Sequence, residues 1–485
     1  MFAFQKNLTN GFYALLSLPA TAMGFALSVQ IAALSWLLTT QYGLDLHDVG
    51  FVWAAGPIAG ILGQVIVGVI SDNVWLWNGR RRPFIIIGGV LAALSLLALP
   101  NIGVISSALG VNGILGVAVL IALTLDLSIN VSFNPTRAII ADVTPKGHER
   151  TKGYTWMQTV SGSFGVLAYV IGTFWNNYAL IYIGVGLVFI MSIIPPLFIK
   201  EPEVLGDDSA AEPIPKLGFI NGMQMIEPLW GFLIYSLYAF AIKMAGIEIT
   251  HYWVEIACLL ITLGFIAKTL MAAEQIKADG TSEIGFKKVL AAHSFTWLGV
   301  QSMFIYMIGF LNQNLPELTD TQTGQVISAS FLVLSVVSAI LPALLLEPLA
   351  RKIGRVKVHT YCIVSMAIAY LALSQLGGSK LTIYVMMAFL GIGWAATISL
   401  PFAIMSQKVN AAKMGLYMGL FNLSVVLPQL VSSLGIGKVI QQVEDKNLLF
   451  VICGISLAIS AVSWLSVRED ISTVNEVETV GGGAH

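Results

Sequence analysis

The chain has 485 residues, 56% of them hydrophobic and 11% charged, with a mean hydropathy of +0.82 and a net charge of −1. Soluble domains carry about 25% charged residues, so this composition argues against a soluble enzyme and for a polytopic membrane protein. Basic clusters interleaved with aromatics are missing, which argues against a nucleic-acid partner, and Cys258, Cys362 and Cys453 have neither metal-ligand nor disulfide spacing.

Taken in chain order, the start MFAFQKNLTNGFY lacks the basic region and cleavage site of a signal peptide. A membrane crossing needs about 20 apolar residues as helix. Six such runs come first, at about 11–40, 49–71, 84–101, 113–140, 154–175 and 178–199. A polar, proline-rich stretch, EPEVLGDDSAAEPIPK, fills 201–216. Two further runs follow at about 229–247 and 252–273, then six more at about 289–311, 323–347, 357–376, 381–405, 414–437 and 448–467. The expected organisation is an N-terminal six-helix bundle (1–200), a cytoplasmic linker with two additional transmembrane helices (201–287), a C-terminal six-helix bundle (288–470) and a cytoplasmic tail (471–485).

With both ends in the cytoplasm, twenty of the 25 Lys and Arg fall inside and four outside, with Arg137 left near the inner end of a span. That bias is the one the positive-inside rule demands. The halves also echo each other. GVISDNVWLWNGRRRP (68–83) and EPLARKIGRVKVH (347–359) each follow the second span of their half and carry Gly-Arg near the end. Internal repeats of this kind mark transporters, although topology-determining charge alone accounts for either loop by itself.

One span carries polar chemistry. In LDLSINVSFNPTRAIIADV (125–143), Asp126, Asn130, Asn134 and Arg137 are spaced by four, four and three. They fall within an arc of roughly 80° on one helix face. Each charge facing lipid at mid-depth would cost about 2.5–3.5 kcal/mol, so the stripe is expected to face the bundle interior. Asp126 and Arg137 lie roughly 16 Å apart along the axis, too far for one ion pair. Pro135 removes a backbone donor and is expected to bend the helix. Burial and a nearby cation act in opposite senses on a carboxylate, so an Asp that changes environment between two states can take and release a proton. The competing readings are interhelical hydrogen bonding for Asn130 and Asn134 and interfacial snorkelling for Arg137.

Several motifs resemble a known family. Gly68-xxx-Asp72 followed by Gly79-Arg80-Arg81-Arg82 resembles the loop between helices 2 and 3 of the major facilitator superfamily. The longer WxxNGRRRPFI resembles the sucrose and maltose proton symporters of the glycoside–pentoside–hexuronide:cation symporter group. Leu125-Asp126, Pro135-x-Arg137-Ala138 and Ala141-Asp142 are similar to their fourth helix, and HSFTWLGVQSMFIY (293–306) to their seventh. GIGWAATISLPFAIMS (391–406) and KMGLYMGLFNLSVVLPQLVSSLGIG (413–437) are similar to helices 10 and 11. The first helix, SVQIAALSWLLTTQYG (28–43), departs from the pattern, Arg351 stands where an aspartate would complete the second loop motif, and the insert 201–287 lies outside a twelve-helix core.

The resemblance implies an all-α facilitator fold of two six-helix bundles plus two extra helices. It implies a non-enzymatic importer of a neutral glucoside, acting as a monomer in the inner cell membrane with both termini cytoplasmic. No cofactor or metal is implied beyond a co-transported proton, and its partners are the sugar and membrane lipid. The matching Asp126 is the proton-coupling carboxylate and the matching Arg137 is needed for transport. Amides suit sugar hydroxyls and aromatic faces suit C–H surfaces. Gln30, Asn130, Gln158, Trp297, Gln301, Trp394, Asn422 and Gln429 are therefore the substrate-binding candidates. Asp72, Arg80, Arg81, Arg82 and Asp142 are expected to form a cytoplasmic gate. Sodium coupling, sugar export, and a non-transporting sensor or assembly factor are the alternatives.

Overall fold

A computed structural model describes residues 3–61, 70, 74–110, 113–145, 147–202, 219–247, 249, 251–277, 281–410 and 414–469. Asp72, most of the linker 201–216 and the tail 471–485 lie outside the described residues. In hydrocarbon every backbone polar group must be satisfied within the chain, and continuous helices do this.

The first half opens with α1 (Asn10–Thr40), where the Thr9 side chain accepts from Phe12 N at 3.3 Å. Asp45 caps α2 (Leu46–Trp53), accepting from Asp48 N at 2.8 Å, and helical turns continue over 55–61. α3 (Arg82–Ala98) continues through a 3-10 turn into Ile102–Leu109. α4 (Ile114–Val143), α5 (His148–Phe174) and α6 (Asn177–Phe198) complete it. The insert supplies α7 (Trp230–Met244) and α8 (Trp253–Met271). The second half contains α9 (Glu283–Asn314), α10 (Asp320–Leu341), α11 (Arg355–Leu376), α12 (Lys380–Ser406), α13 (Met414–Val431) and α14 (Leu448–Trp464).

The all-α organisation matches expectation, and among the described residues ten helices are long and apolar enough to cross a membrane. α4 runs through Pro135 without interruption, where Thr136 Oγ1 donates to Phe133 O at 2.8 Å.

The chain forms two compact units, Met1–Glu212 with Ile305–Leu332, and Pro213–Phe304 with Val333–His485. These differ from the expected boundaries in two ways, each with a packing cause. Segment Ile305–Leu332 groups with the first six helices. There, Trp36 Nε1 donates to Asp320 O (2.6 Å), Ser328 Oγ to Asn177 Oδ1 (2.9 Å) and Gln325 Nε2 to Trp175 O (2.9 Å). The insert groups with the second unit instead of standing apart. Phe232 packs edge-on against Phe295, with centroids 5.8 Å apart. The buried pair Lys408–Glu274 (2.6 Å) ties the chain after α8 to the end of α12, and Glu274 also accepts from Arg468 N at 3.2 Å.

Candidate functional site

In the first unit the polar stripe of α4 divides into two parts. Asp126 is 4% exposed, and Gln30 Nε2 of α1 donates to its Oδ2 at 3.1 Å. Gly56 lies beside the same carboxylate. Asn130 Nδ2 bonds back to the Asp126 carbonyl at 2.8 Å, which sets the side chain along its own helix. Among the described residues no ion pair includes Asp126. About three turns away, Arg137 is exposed, with its guanidinium 4.5 Å from the Phe133 ring centroid, and Tyr154 OH donates to its carbonyl at 3.2 Å. Asn134 is half-buried between the two parts. A buried carboxylate held by one neutral amide keeps spare acceptor capacity and can hold a proton or accept from a hydroxyl.

The arginine loop forms a second centre of the same unit. Arg81 Nε donates to Asp142 Oδ2 at 2.9 Å, with Arg81 buried and Asp142 nearly so (side chains 7% and 10% exposed). A residue that sequence reasoning passed over organises the loop. Glu201, just beyond α6, accepts from the backbone N–H groups of Arg80 (2.7 Å), Arg81 (2.7 Å) and Arg82 (2.8 Å). A Cβ on Gly79 would lie 2.7 Å from Glu201 Oε1, so only glycine admits this approach. Arg82 donates to Ile199 O, closing the loop onto the end of α6. Three N–H groups at the start of α3 thus receive a negative charge where the helix dipole favours one.

The second unit holds an aromatic and amide cluster. Trp297 and Trp394 meet edge to face at 5.7 Å, and Phe304 also meets Trp394 edge to face at 5.6 Å. Gln429 Nε2 donates to Gln301 Oε1 at 3.2 Å, joining α13 to α9. His293 was missed as a site residue. It accepts from Trp297 Nε1 at 2.9 Å and stacks on Phe421 at 4.9 Å. The i, i+4 spacing of His293 and Trp297 was the available signal. Gln158, exposed on α5, and Asn422, half-buried on α13, join none of these hydrogen-bonded or ring contacts.

The tryptophan pair and amides of the second unit suit contact with a polar solute, and the buried carboxylate of the first unit suits holding a proton or accepting from a hydroxyl. The sequence matches the Major Facilitator Superfamily over residues 16–433. The chain belongs to this superfamily. It is therefore a multi-pass membrane transporter and not an enzyme. This facilitator is 23% identical over 463 residues to sucrose transport protein SUC4 of Arabidopsis thaliana, covering 84% of this chain and 80% of the relative. It is 26% identical over 474 residues to sucrose transport protein SUT1 of Oryza sativa subsp. japonica, covering 84% and 78%. A shorter match, 29% over 174 residues, joins it to the general alpha-glucoside permease of Schizosaccharomyces pombe, covering 32% and 31%. Among solved structures, the POT family transporter PepTSo superposes with a TM-score of 0.65 at 12% identity, covering 96% of this facilitator and 99% of that chain. The nucleoside transporter NupG gives 0.61 at 12%, covering 95% and 100%. These two likenesses concern fold alone.

Proposed function

We propose that this facilitator imports a neutral glucoside of the sucrose or maltose type together with one proton, by alternating access. The observation that carries the reading is Asp126, a carboxylate 4% exposed within a membrane-spanning helix and partnered by the neutral Gln30. An ionised carboxylate in low dielectric is costly, so a carboxylate whose surroundings alternate between water and protein can release and regain a proton in each cycle. The sucrose transport proteins and the alpha-glucoside permease among its relatives support a sugar as cargo. Within the second unit Trp297, Trp394, Gln301 and Gln429 offer the faces and amides such a cargo needs, and within the first unit Gln30 donates to the Asp126 carboxylate. The orientation follows the charge bias, with both termini in the cytoplasm of a cell whose inner membrane carries the protein as a monomer. One charge moving through 100 mV supports roughly 40-fold accumulation.

The test compares the wild type with Asp126→Asn in proteoliposomes supplied with sucrose, maltose, glucose or a β-glucoside, under a pH gradient with and without sodium. The amide mimics the protonated carboxyl permanently. The variant is expected to bind sugar and exchange it across the membrane, because exchange cycles only the loaded carrier. It is expected to lose accumulation, because the empty carrier must return deprotonated. Wild-type binding weakens as pH rises and Asp126 loses its proton, and the variant's binding stays flat. Wild-type accumulation by Asp126→Asn would remove Asp126 from coupling, and uptake driven by sodium alone would replace the proton.

A further inference from the structure

The insert pair and the helices beside it in the second unit line a space that includes none of Trp297, Gln301, Trp394 and Gln429. α7, α8, α9, the end of α13, the π turn Ser432–Ile436 and the helix Gly437–Gln442 surround a cavity of about 360 Å³. That volume lies within the range of about 300–1,000 Å³ that holds small-molecule ligands. Its lining is apolar, with Phe232, Phe295 and Leu298 buried and Ile256 and Leu259 about half exposed (47% and 53%) along its open side. The Thr262 hydroxyl in the wall is already used, donating to Cys258 O at 2.8 Å. The Tyr235 hydroxyl lies against Gly435. Such a wall offers a polyhydroxylated ligand few partners and offers a hydrocarbon chain continuous contact.

The mouth has a different character. Tyr252, Glu255 and Lys438 line it at the end of the pair where α7 turns into α8. Lys438 Nζ donates to Ile249 O at 2.9 Å and lies 4.9 Å from the Tyr252 ring centroid. It stands 3.9 Å from Glu255 Oε1, a charge pair beyond hydrogen-bond reach. Glu255 Oε2 is buried with no hydrogen-bond partner among the described residues. The mouth therefore presents a cation and an anion side by side, each with unused hydrogen-bonding capacity. From Glu255 to Thr262 the wall of α8 runs roughly 10 Å inward, the direction an acyl chain would take.

We propose that this cavity binds one phospholipid with an ethanolamine headgroup. One acyl chain enters between the insert pair and the ends of α9 and α13, the phosphate meets Lys438, and the ammonium donates to Glu255. A choline headgroup has no N–H to give Glu255, and a glycerol headgroup brings no cation to it. The site stands independently of the cargo.

The experiment uses the full chain, purified in detergent and titrated with phosphatidylethanolamine, phosphatidylcholine or phosphatidylglycerol of matched acyl chains, with bound lipid counted by native mass spectrometry. The expected result is one retained phosphatidylethanolamine per chain, preferred about tenfold over the other two, as loss of a charge-assisted hydrogen bond implies. Glu255→Gln, at the rim, is expected to abolish the preference. Leu259→Trp, which fills the cavity, is expected to lower retention of all three lipids. Retention without headgroup preference in the wild type, or an unchanged preference in Glu255→Gln, overturns the proposal. If Leu259→Trp fails to fold, Glu255→Gln decides alone.

Discussion

The two Gly-Arg loops are the clearest internal repeat in the sequence, and the structure makes them unequal. In the first, both oxygens of Glu201 are used, by three backbone N–H groups, and Arg81 adds a buried ion pair to Asp142. In the second, Glu469 follows α14 as Glu201 follows α6, and its Oε2 accepts from Val356 N at 2.9 Å. Its Oε1 is buried without a hydrogen-bond partner among the described residues. Gly354 repeats the role of Gly79: a Cβ there would lie 2.7 Å from Glu469 Oε2, and its φ of +92° also favours glycine. Arg351 pairs with Glu347 on an exposed helical turn, with both side chains about 60% exposed (61% and 62%). The geometry of a carboxylate behind a helix start is thus repeated, and the buried charge network belongs to the first loop. A repeated motif preserves a backbone solution before it preserves an electrostatic one.

Breaking the first loop should have the largest effect. Asp142→Asn takes the negative charge out of the ion pair with the buried Arg81, a loss of about 2–3 kcal/mol. Glu201→Gln keeps one acceptor oxygen and turns an NH2 toward donors, a loss of about 3 kcal/mol. Both should appear as a lowered unfolding midpoint in detergent. If either variant matched the wild type, the first loop would be no more than a topology signal.

Asp142 was legible because it ends the polar fourth helix, in reach of a basic loop. Glu201 was not, because it opens a stretch rich in Glu, Asp and Pro that reads as linker, 119 residues from Arg82. Long-range capping leaves no periodic trace in one chain. The spans themselves were legible because hydrocarbon imposes both length and apolar composition on them. Periodicity also placed Asp126 and Asn130 on one face, and Trp297 with Gln301. It could not pair Gln301 with Gln429 or Gln30 with Asp126, since a helix period says nothing about which other helix lies opposite. For the same reason the partners of the insert were not legible: Phe232 meets Phe295 of α9, and the Tyr235 hydroxyl lies against Gly435.

Glu469→Gln tests the second loop at its one strong point. It exchanges a charge-assisted bond to Val356 N for a neutral one, and relieves a buried, half-used carboxylate. The two changes oppose each other, so the expected loss is about 1 kcal/mol. A loss as large as that of Glu201→Gln would make the two loops equivalent and end the contrast between them.

Arg351→Gln should have the smallest effect. The Arg351–Glu347 pair is short at 2.8 Å, but distance alone does not make it strong. Both side chains are exposed, the spacing is i, i+4, and solvent and salt screen the charges, so such a pair contributes about 0.3–0.5 kcal/mol. Arg351 also occupies the position where the first-half pattern would place an aspartate, and its charge has the same sign as that of Arg355 in the same loop. Arg351→Gln is therefore expected to leave the unfolding midpoint within error at physiological salt, with a small decrease emerging as salt is lowered. The informative comparison is Arg351→Gln beside Asp142→Asn at two ionic strengths. A buried pair should lose the same amount at both, while an exposed one should lose its small contribution as salt rises. A salt-independent loss above about 1 kcal/mol in Arg351→Gln would place a buried partner at the second loop and restore the symmetry that the structure breaks.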